Sequence, residues 1–452
     1  MSAASGGRPV RFVALGILIR VDRDRSHAAP LLDSKGAHLD ARDRDLLRAL
    51  VKMTLRNAIR LDHVLDRYAT RPMSNLDPEI RAALRLGATQ LLLMDRIPAH
   101  AAVGETVTAA KEFMPHAAGM VNAVLRRLAR EEKGPGAVLL PEGTDPVKRL
   151  AIETSHPEWL VRRWMKELGE EATRVALWAD EHDSPIDLLL DPKAGTAEEI
   201  VAALERDGVT TVASDWAPLA RTVTGGDAIG HPLVASGALG IVDVAAQAMV
   251  ELVTPARIVI DVAAAPGGKT RTLLARGIAA RVLSLELHPT RSERLRRNLR
   301  AAGRLGDALV VRADARRAPL ASGAFSSVLL DAPCSGTGTL RKNPEIRSRL
   351  IRDDLAVFAS VQAELLHAAI ELLAPEGTVT YVTCSLEPEE NEDVVDRVLA
   401  ERGDAMRVRE LPEHVPVPLR NCTRTDGLVR VPPGPTHDGF SSITIRRTRQ
   451  AG

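Results

Sequence analysis

Two cysteines stand where a thiol could act as a nucleophile, because each follows a predicted apolar strand and lies in a polar turn. Cys334 lies in the segment 331–336 (DAPCSG), and Cys384 lies in the segment 381–385 (YVTCS). Nearby backbone N–H groups and helix N-termini can lower the pKa of such a thiol and so supply thiolate. Most cysteines are instead small buried hydrophobic residues, and we interpret Cys422 in that way or as a surface thiol. The residues alone allow either Cys334 or Cys384 to be the attacking group.

A glycine-rich turn between a predicted strand and a predicted helix indicates a ligand cleft. The β-branched run 258–262 is typical of a buried strand of a parallel sheet, and a helix is predicted from Arg271 onward. Paired glycines let the backbone approach a ligand, and a helix N-terminus offers free N–H groups. The predicted ligand-binding residues of this turn are Ala263, Ala264, Ala265, Pro266, Gly267, Gly268 and Lys269.

Three acids follow further predicted strands and should converge on the same cleft. Glu286 lies roughly 25 residues after Asp261, close to the ~20-residue spacing at which a carboxylate meets ribose hydroxyls in a nucleotide-binding βαβ unit. We predict that Glu286 binds a ribose, that Asp314 accepts from an exocyclic amine, and that Asp331 lies nearer the reacting end. Each acid alone is more often a turn or capping residue, so the prediction depends on all three lying at one sheet edge.

A phosphate ligand is the alternative for the same turn. Residues 263–270 fit a relaxed phosphate-loop pattern, and the run 327–331 could be its downstream acidic strand. Pro266 argues against this alternative, because a proline lacks the N–H that a phosphate cradle uses. The residues therefore favour a nucleoside-type cofactor and leave a nucleoside triphosphate open.

Length and composition bound the classes of protein that this chain can represent. It has 452 residues, 45% hydrophobic content, three cysteines and a formal net charge of +1. We expect two or three domains, a reducing cytoplasmic location, and no disulfide scaffold. No run approaches the ~20 apolar residues of a membrane span, and no His or Cys spacing suggests a metal site, so we expect neither a span nor a metal ion. Nucleic acid, if bound, must meet local basic patches.

The elements that position these residues form a multidomain chain. Residues 8–130 have helical periodicity throughout and predict an all-α bundle, with Asp77 as the N-cap of one helix. Residues 131–146 are predicted to be a linker. Residues 147–236 predict a small α+β insert that begins with two helices, and residues 237–452 predict an α/β doubly wound, Rossmann-like domain. Arginines that could form an RNA-facing surface of the bundle are Arg56, Arg60, Arg67, Arg71, Arg126, Arg127 and Arg130.

Within these domains, individual elements are predicted from pattern and capping. In the insert, Thr196 and Glu199 predict a capping box at the start of a helix. The predicted strands of the doubly wound sheet are 258–262, 281–286, 308–312, 327–330 and 378–383, with a last strand at 442–445. The predicted helices between them are 271–276, 290–302 and 355–373.

The chain resembles the RsmB (Sun/Fmu) family of bacterial small-subunit ribosomal RNA (cytosine-5-)methyltransferases, which carry a NusB-like N-terminal domain. The catalytic motifs that carry the resemblance are AAPGGKT at 264–270, DAPCSG at 331–336, RKNPE at 341–345, TCS at 383–385 and PEEN at 388–391. The N-terminal half resembles the family through LRLGA at 84–88, IPAH at 97–100 and VNAVLR at 121–126, and HPEWL at 156–160 fits the segment between. The resemblance covers nearly the whole chain and disfavours the phosphate-loop alternative.

The resemblance implies methyl transfer from S-adenosyl-L-methionine to carbon 5 of a cytosine in RNA, with 16S ribosomal RNA as the expected substrate. It assigns the nucleophile to Cys384, the release step to Cys334 and cytosine stabilisation to Asp331. The glycine turn from Ala263 to Lys269, with Glu286, Asp314 and Asp331, is then the cofactor site. Transfer RNA is the alternative substrate, and a catalytically decayed RNA-binding scaffold is the alternative to an enzyme. We expect a monomer without a metal ion.

Three departures from the family pattern bear on substrate recognition. Ala263 stands where many relatives have a cysteine, and Ser441-Ser442 stands where relatives have a further aromatic or apolar pair. The segment 188–191 (LLLD) lacks the Arg-Val-Asn that is usual in the insert. These departures leave the catalytic assignment in place and affect the RNA contacts.

Overall fold

The computed structural model describes residues 9–131, 140 and 143–449, which form two compact units. The first unit contains the chain up to His182 together with Leu340–Leu350, and the second contains Asp183–Thr339 and the chain from Ile351. The predicted N-terminal tail and most of the predicted linker lie outside the described residues. The domain limits drawn from the sequence stay a prediction.

The helices, numbered in chain order, have these bounds. They are α1 (Val10–Asp24), α2 (Ala28–Gly36), α3 (Ala41–Arg56), α4 (Ala58–Leu65), α5 (Pro78–Leu93), α6 (Ala99–Phe113), α7 (Ala118–Glu131), α8 (Pro146–Glu153), α9 (Glu158–Glu167), α10 (Glu170–Ala179), α11 (Ala197–Arg206), α12 (Pro232–Ala235), α13 (Val244–Val250), α14 (Gly268–Ala275), α15 (Pro289–Ala301), α16 (Glu345–Arg349), α17 (Asp354–Leu372), α18 (Glu392–Glu401) and α19 (Val417–Asn421).

The strands are likewise numbered in chain order. They are β1 (Asp187–Leu189), β2 (Thr210–Ala213), β3 (Ala220–Gly225), β4 (Gly240–Ile241), β5 (Ala256–Val262), β6 (Ala279–Glu286), β7 (Ala308–Arg312), β8 (Phe325–Asp331), β9 (Leu373–Thr383), β10 (Ala405–Arg407), β11 (Val429–Val431) and β12 (Phe440–Arg447).

The first unit is helical, as its 3.6-residue periodicity predicts. The apolar faces of α1 to α7 bury one continuous core, whose central residues include Leu15, Leu50 and Leu84. Helix α5 begins after Asp77 as predicted, but the Asp77 side chain makes no capping hydrogen bond. Three helices, α8 to α10, follow where two were predicted, and they belong to this unit.

The predicted RNA-facing arginines of this unit do not all face solvent. The Arg56 side chain is buried, so it cannot belong to such a surface. Arg67 and Arg127 lie over the Tyr68 ring, with their guanidinium carbons 5.5 and 5.3 Å from its centroid. Arg127 also pairs with Glu131. The prediction is therefore wrong for Arg56 and stays a prediction for the rest.

A four-stranded antiparallel sheet in the order β2-β3-β1-β4 forms the small α+β part of the second unit. Helix α11 packs beside it and begins with the predicted capping box: Thr196 Oγ1 accepts from the Glu199 backbone N–H, and the Glu199 carboxylate accepts from the Thr196 N–H. This reciprocal pair satisfies two of the N–H groups that a helix start leaves unpaired. The strands β3 and β4 were not predicted.

The larger sheet is doubly wound and places the glycine turn at its switch point. Its main path has the order β10-β12-β9-β8-β5-β6-β7, and β11 pairs with β12. Strands β7, β6, β5, β8 and β9 are parallel neighbours, and β12 runs antiparallel to β9. The chain proceeds from β5 outward to β7 and then returns to the other side of β5 as β8. The cleft at the carboxyl ends of β5 and β8 is therefore where an α/β sheet binds its ligand.

Helix α17 corrects one expectation about composition. By length and composition alone it is long and apolar enough to cross a membrane, although no such run was expected. Its buried residues, including Leu366 and Ile370, pack in the core with strands β8 and β9. This packing is that of a core helix of a doubly wound domain.

Candidate active site

The glycine turn is built by backbone conformations that its residue types allow. Ala263, after the end of β5, has a φ of +59°, and the bond between Ala265 and Pro266 is cis. Gly267, at φ +105°, is the N-cap of α14, and a Cβ there would lie 2.7 Å from Leu295 Cδ1. Both the positive φ and this close approach require glycine. The turn therefore brings backbone and the N-terminus of α14 to the cleft.

Glu286 ends β6 immediately beside this turn, since the backbone N–H of Ala264 donates to Leu285 O at 3.0 Å. Its carboxylate is 2% exposed. Oε1 accepts from the His288 backbone N–H at 2.9 Å and from Arg291 Nε at 3.0 Å. These contacts fix the orientation of the carboxylate at the strand end, where the sequence predicted a ribose-binding group.

Asp314 follows β7 at the same edge, one strand further out. The backbone N–H of the preceding Ala313 donates to Glu286 O at 3.2 Å, so the two acids follow neighbouring strand ends. The Arg316 guanidinium donates to both oxygens of Asp314, at 3.0 Å to Oδ1 and 2.7 Å to Oδ2. This pairing lowers the pKa of Asp314. An adenine amine bound here would meet an ionised carboxylate that is already paired with an arginine.

Asp331 and Lys269 form an ion pair where β8 ends and α14 begins. Lys269 Nζ lies 2.8 Å from Asp331 Oδ2 and 5.0 Å from the centroid of the Phe440 ring. Burial is the largest single effect and works to lower the pKa of Lys269, but the charge and hydrogen bond of Asp331, with the charges of Cys384 and Asp261, together outweigh it and the pKa is raised. The lysine therefore stays cationic and orients the carboxylate of Asp331.

The two candidate thiols lie side by side. Cys334 Sγ is 3.3 Å from Cys384 Sγ, although 50 residues separate the two in the chain. The hydrogen bond with Cys384, and then burial, raise the pKa of Cys334 well above its ordinary value. A backbone hydrogen bond with Gly336 lowers the pKa of Cys334 as expected, but the other effects outweigh it, so the expected low pKa is wrong for Cys334. The Cys334 thiol therefore keeps its proton.

Two residues that the sequence analysis identified only as part of the PEEN motif hold the cysteine-bearing turns in place. The Glu390 carboxylate accepts from the hydroxyls of Ser335 and Ser385, the residues directly after the two cysteines. The Asn391 side chain donates to Ser385 O at 3.1 Å and accepts from Thr383 Oγ1 at 2.7 Å. The motif PEEN signalled importance, but only the tertiary contacts reveal what these two side chains do.

Two of the positions that depart from the family pattern make specific contacts in the structure. Ser441 Oγ donates to Ser385 O at 2.8 Å, so this position of β12 supports the turn after Cys384. Asp191 is buried and binds the guanidinium groups of Arg271 and Arg304, with contacts of 2.9 and 2.5 Å. In this chain the segment after β1 therefore anchors the start of α14 and the end of α15.

A cavity of about 430 Å³ lies along the glycine turn. Lys269, Asp331 and Asn298 line it, together with the turn itself and the segment around β4. Its lining, drawn from the described residues, does not include Glu286 or Asp314. Of the three predicted acids, the cavity therefore reaches only Asp331, which is paired with Lys269.

Family models match three successive parts of the chain. The NusB family matches residues 8–130, the ferredoxin-like domain of RsmF/B-like methyltransferases matches 156–226, and the family described as 16S rRNA methyltransferase RsmB/F matches 249–443. The last span contains the glycine turn, the three acids and both paired cysteines.

Curated relatives and a solved structure extend the similarity over the whole length. The chain is 31% identical to the probable ribosomal RNA small subunit methyltransferase B of Bacillus subtilis (strain 168), over 97% of this chain and 98% of the relative. It is 35% identical to ribosomal RNA small subunit methyltransferase B of Pseudomonas putida, over 89% and 90%. The crystal structure of PH0851 has a similar fold, with a TM-score of 0.77, 24% identity, and coverage of 98% and 99%.

Proposed function

The chain belongs to the 16S rRNA methyltransferase RsmB/F family, and from this premise we propose that it methylates carbon 5 of a cytosine in 16S ribosomal RNA through a covalent cysteine–cytosine adduct. The family is one of S-adenosyl-L-methionine-dependent RNA methyltransferases. The observation that carries the finer proposal is the 3.3 Å approach of the Cys334 and Cys384 thiols. The phosphate-loop alternative is set aside, because the matched family span contains the glycine turn.

The residues of the cleft fit the cofactor by the chemistry of their donors and acceptors. Bound S-adenosyl-L-methionine supplies the methyl group. Gly267, Gly268 and Lys269 would line its methionine end, with the backbone of the turn from Ala263 onward. Glu286 would accept from the ribose hydroxyls and Asp314 from the adenine amine. Support for these roles comes from the carboxylates themselves, which follow adjacent parallel strands and are each oriented by an arginine.

A thiolate is needed because carbon 5 of cytosine is a poor nucleophile on its own, and the family resemblance assigns that role to Cys384. The Cys384 thiolate adds to carbon 6, its electron pair forms the S–C bond, and carbon 5 becomes enamine-like. After carbon 5 has gained the methyl group, its proton must leave so that the C5–C6 double bond can reform and the Cys384 thiolate can depart. Asp331, oriented by Lys269 at 2.8 Å, would hydrogen-bond the cytosine ring throughout.

Cys334 is proposed to enable that release. Its pKa is raised chiefly by its hydrogen bond with Cys384 and by burial, with the charge of Cys384 adding to the effect. Once Cys384 is bonded to carbon 6, that negative charge is gone and Cys334 can ionise more readily. The geometry thus supports an order in which Cys384 attacks first and Cys334 accepts the carbon 5 proton later.

The test compares two single variants with labelled S-adenosyl-L-methionine and 16S ribosomal RNA. Cys384→Ala is expected to abolish both methyl transfer and any covalent protein–RNA complex. In Cys334→Ala, Cys384 is expected to add to carbon 6 and methyl transfer is expected to occur. Elimination should fail, so a covalent protein–RNA complex that is stable on denaturing gels should accumulate. Cys422→Ala is the matched control and should turn over normally.

Three outcomes would contradict parts of the proposal. Label on adenine or on protein, rather than on cytosine, would refute the reaction. A complex trapped by Cys384→Ala and absent with Cys334→Ala would reverse the two assignments. Methylation of transfer RNA in preference to 16S ribosomal RNA would refute the substrate.

A further inference from the structure

Glu390 is a buried acid that the proposed reaction leaves without a role. It ends the turn Pro388–Glu390 and is fully buried. Of the described residues, no lysine, arginine or histidine forms an ion pair with it. Burial raises the pKa of this carboxyl. A buried acid without a counter-ion is costly, so its hydrogen bonds need an explanation.

Those hydrogen bonds join the two cysteine-bearing turns. Oε1 accepts from the backbone N–H of Ser335, next to Cys334, at 2.8 Å. Oε2 accepts from the Ser385 hydroxyl, next to Cys384, at 2.5 Å, and also from the Ser335 hydroxyl. One carboxylate therefore holds the residue after each thiol.

A third element, helix α17, donates a further hydrogen bond to the Glu390 carboxylate. Gln362, on α17, donates from Nε2 both to Glu390 Oε1 at 3.1 Å and to Pro333 O at 2.9 Å. The Cys334 turn is thus held on both sides of the cysteine. Tyr381 fixes the backbone of Glu390 by donating to its carbonyl at 2.6 Å.

We propose that Glu390 is a positioning residue that ties the two turns together and sets the separation between the attacking thiol and the thiol of the release step. This inference rests on the proposed function for the roles of the thiols, but the separation itself can be measured without any methylation. A shift of about 1 Å in a catalytic group is enough to cost roughly 100-fold in rate, so a device that fixes this distance matters.

Glu390→Gln and Glu390→Ala separate the hydrogen-bonded bridge from the negative charge of Glu390. Glutamine can keep the bridge, because its amide oxygen accepts from Ser335 N–H and Gln362 while its amide N–H groups donate to the two serine hydroxyls. Alanine removes every one of these bonds. Glu389→Ala, which removes the neighbouring acid of the same motif, is the matched control.

The first readout is the rate at which glutathione disulfide converts the two thiols into an intramolecular disulfide. In this reaction the protein dithiol is oxidised and glutathione disulfide is reduced to two molecules of glutathione. Peptide mapping identifies the bond between Cys334 and Cys384. The wild type, Glu390→Gln and Glu389→Ala are expected to form it at similar rates, and Glu390→Ala at least tenfold more slowly.

The second readout is steady-state methylation. Glu390→Ala should lose roughly 100-fold in kcat with little change in KM for the cofactor. Glu390→Gln should keep turnover but shift the pH dependence of release to lower pH, because the negative charge of Glu390 contributes to the raised pKa of Cys334.

Disulfide formation in Glu390→Ala at the wild-type rate would overturn the inference, whatever the methylation assay shows. If Glu390→Ala does not fold, Ser385→Ala removes the hydroxyl that joins the Cys384 turn to Glu390, together with its contacts to Ser335, Thr337 and the Glu387 N–H, and the same slower disulfide formation is expected. If the wild-type protein showed no methylation, the proposed function would be refuted, but the disulfide experiment would remain valid.

Discussion

At the scale of single residues, the acid Asp261 lies in an environment that disfavours its charged form. It lies fully buried in β5 and accepts from Thr270 Oγ1 at 2.5 Å through Oδ2, while Oδ1 has no partner among the described residues. Burial, with a smaller contribution from Asp331, raises its pKa to about 7, and Thr270 and Lys269 oppose this. An Asp of this kind prefers its neutral form in the folded protein.

The sign of the resulting pH dependence can be worked out. Because the folded pKa of Asp261 lies above its unfolded value of about 3.9, the native state holds the extra proton between about pH 4 and 7. Its contribution to stability is full below pH 4 and is lost as the pH rises through 7. Asn cannot ionise. The stability of Asp261→Asn relative to wild type should therefore increase between pH 5 and 8.5, by roughly 2.7 kcal/mol.

Thermal unfolding without cofactor at both pH values checks this expectation. Asp191→Asn is the control of opposite sign: despite burial, Arg304 and Arg271 lower the pKa of Asp191. That variant should lose stability relative to wild type as the pH rises from 3 to 5. A pH-independent difference for Asp261→Asn would contradict the burial argument.

At the scale of elements, the segment 340–350 belongs to the helical unit although it follows the Cys334 turn in the chain. The fully buried Arg347 guanidinium donates to Arg56 O at 3.1 Å and Thr154 O at 3.3 Å, pairs with Glu181 Oε1 at 2.6 Å, and donates to Asp180 O. One side chain thus satisfies the carbonyls that end α3, α8 and α10. The RKNPE motif is part of the core of the helical unit.

Arg347→Ala is expected to destabilise the helical unit by about 3–5 kcal/mol, because it leaves the Glu181 charge and several buried carbonyls without their donor. Arg347→Lys should recover only part of this, since an ammonium cannot reproduce the planar fork. Hydrogen exchange of α3 and α8 in the full-length protein measures the effect. Arg352→Ala, an exposed arginine just past the segment, should change stability by less than about 0.5 kcal/mol. Equal protection in Arg347→Ala and wild type would refute the anchoring role.

At the scale of the whole molecule, positive charge is concentrated where a net charge of +1 does not reveal it. Residues 281–317 contain ten arginines and four acids, a net of +6 within that stretch. Arg294, Arg297 and Arg300 follow each other at three-residue steps on the exposed side of α15. Their side chains form no ion pair or hydrogen bond with any residue that the structure describes. Guanidinium groups free of internal partners suit RNA phosphates.

Neutralising these three arginines as a triple Gln variant is expected to weaken binding of 16S ribosomal RNA. The slope of log affinity against log salt should become shallower by about 2–3, since each phosphate contact contributes roughly 0.7–0.9. Cofactor affinity should not change. The matched control is a triple Gln variant of Arg257, Arg409 and Arg446, exposed arginines of the same unit, two of which lie towards the amino ends of the parallel strands. Equal salt slopes for both triple variants would refute a specific RNA face on α15.

Local pattern determined the elements and the positions of the reactive residues. Strands β5 to β9 and the capping box at Thr196 follow from hydrophobic runs and short-range hydrogen bonding, which depend on neighbours in the chain. Because carboxyl ends of parallel strands share one edge, the sequence also predicted that Glu286, Asp314 and Asp331 follow strands at that edge, although of these three only Asp331 lines the cavity at the glycine turn. Family motifs, confirmed by the comparisons, added the reaction class.

Only the tertiary structure decided how distant residues act on one another. The raised pKa of Cys334, the pairing of Lys269 with Asp331 and the contact of Glu390 with Ser335 each depend on residues that are 50 or more apart in the chain. The burial of Arg56 and the anchoring of the segment 340–350 in the helical unit are of the same kind. Burial and charge pairing depend on which surfaces pack together in three dimensions, and periodicity along the chain does not predict that packing.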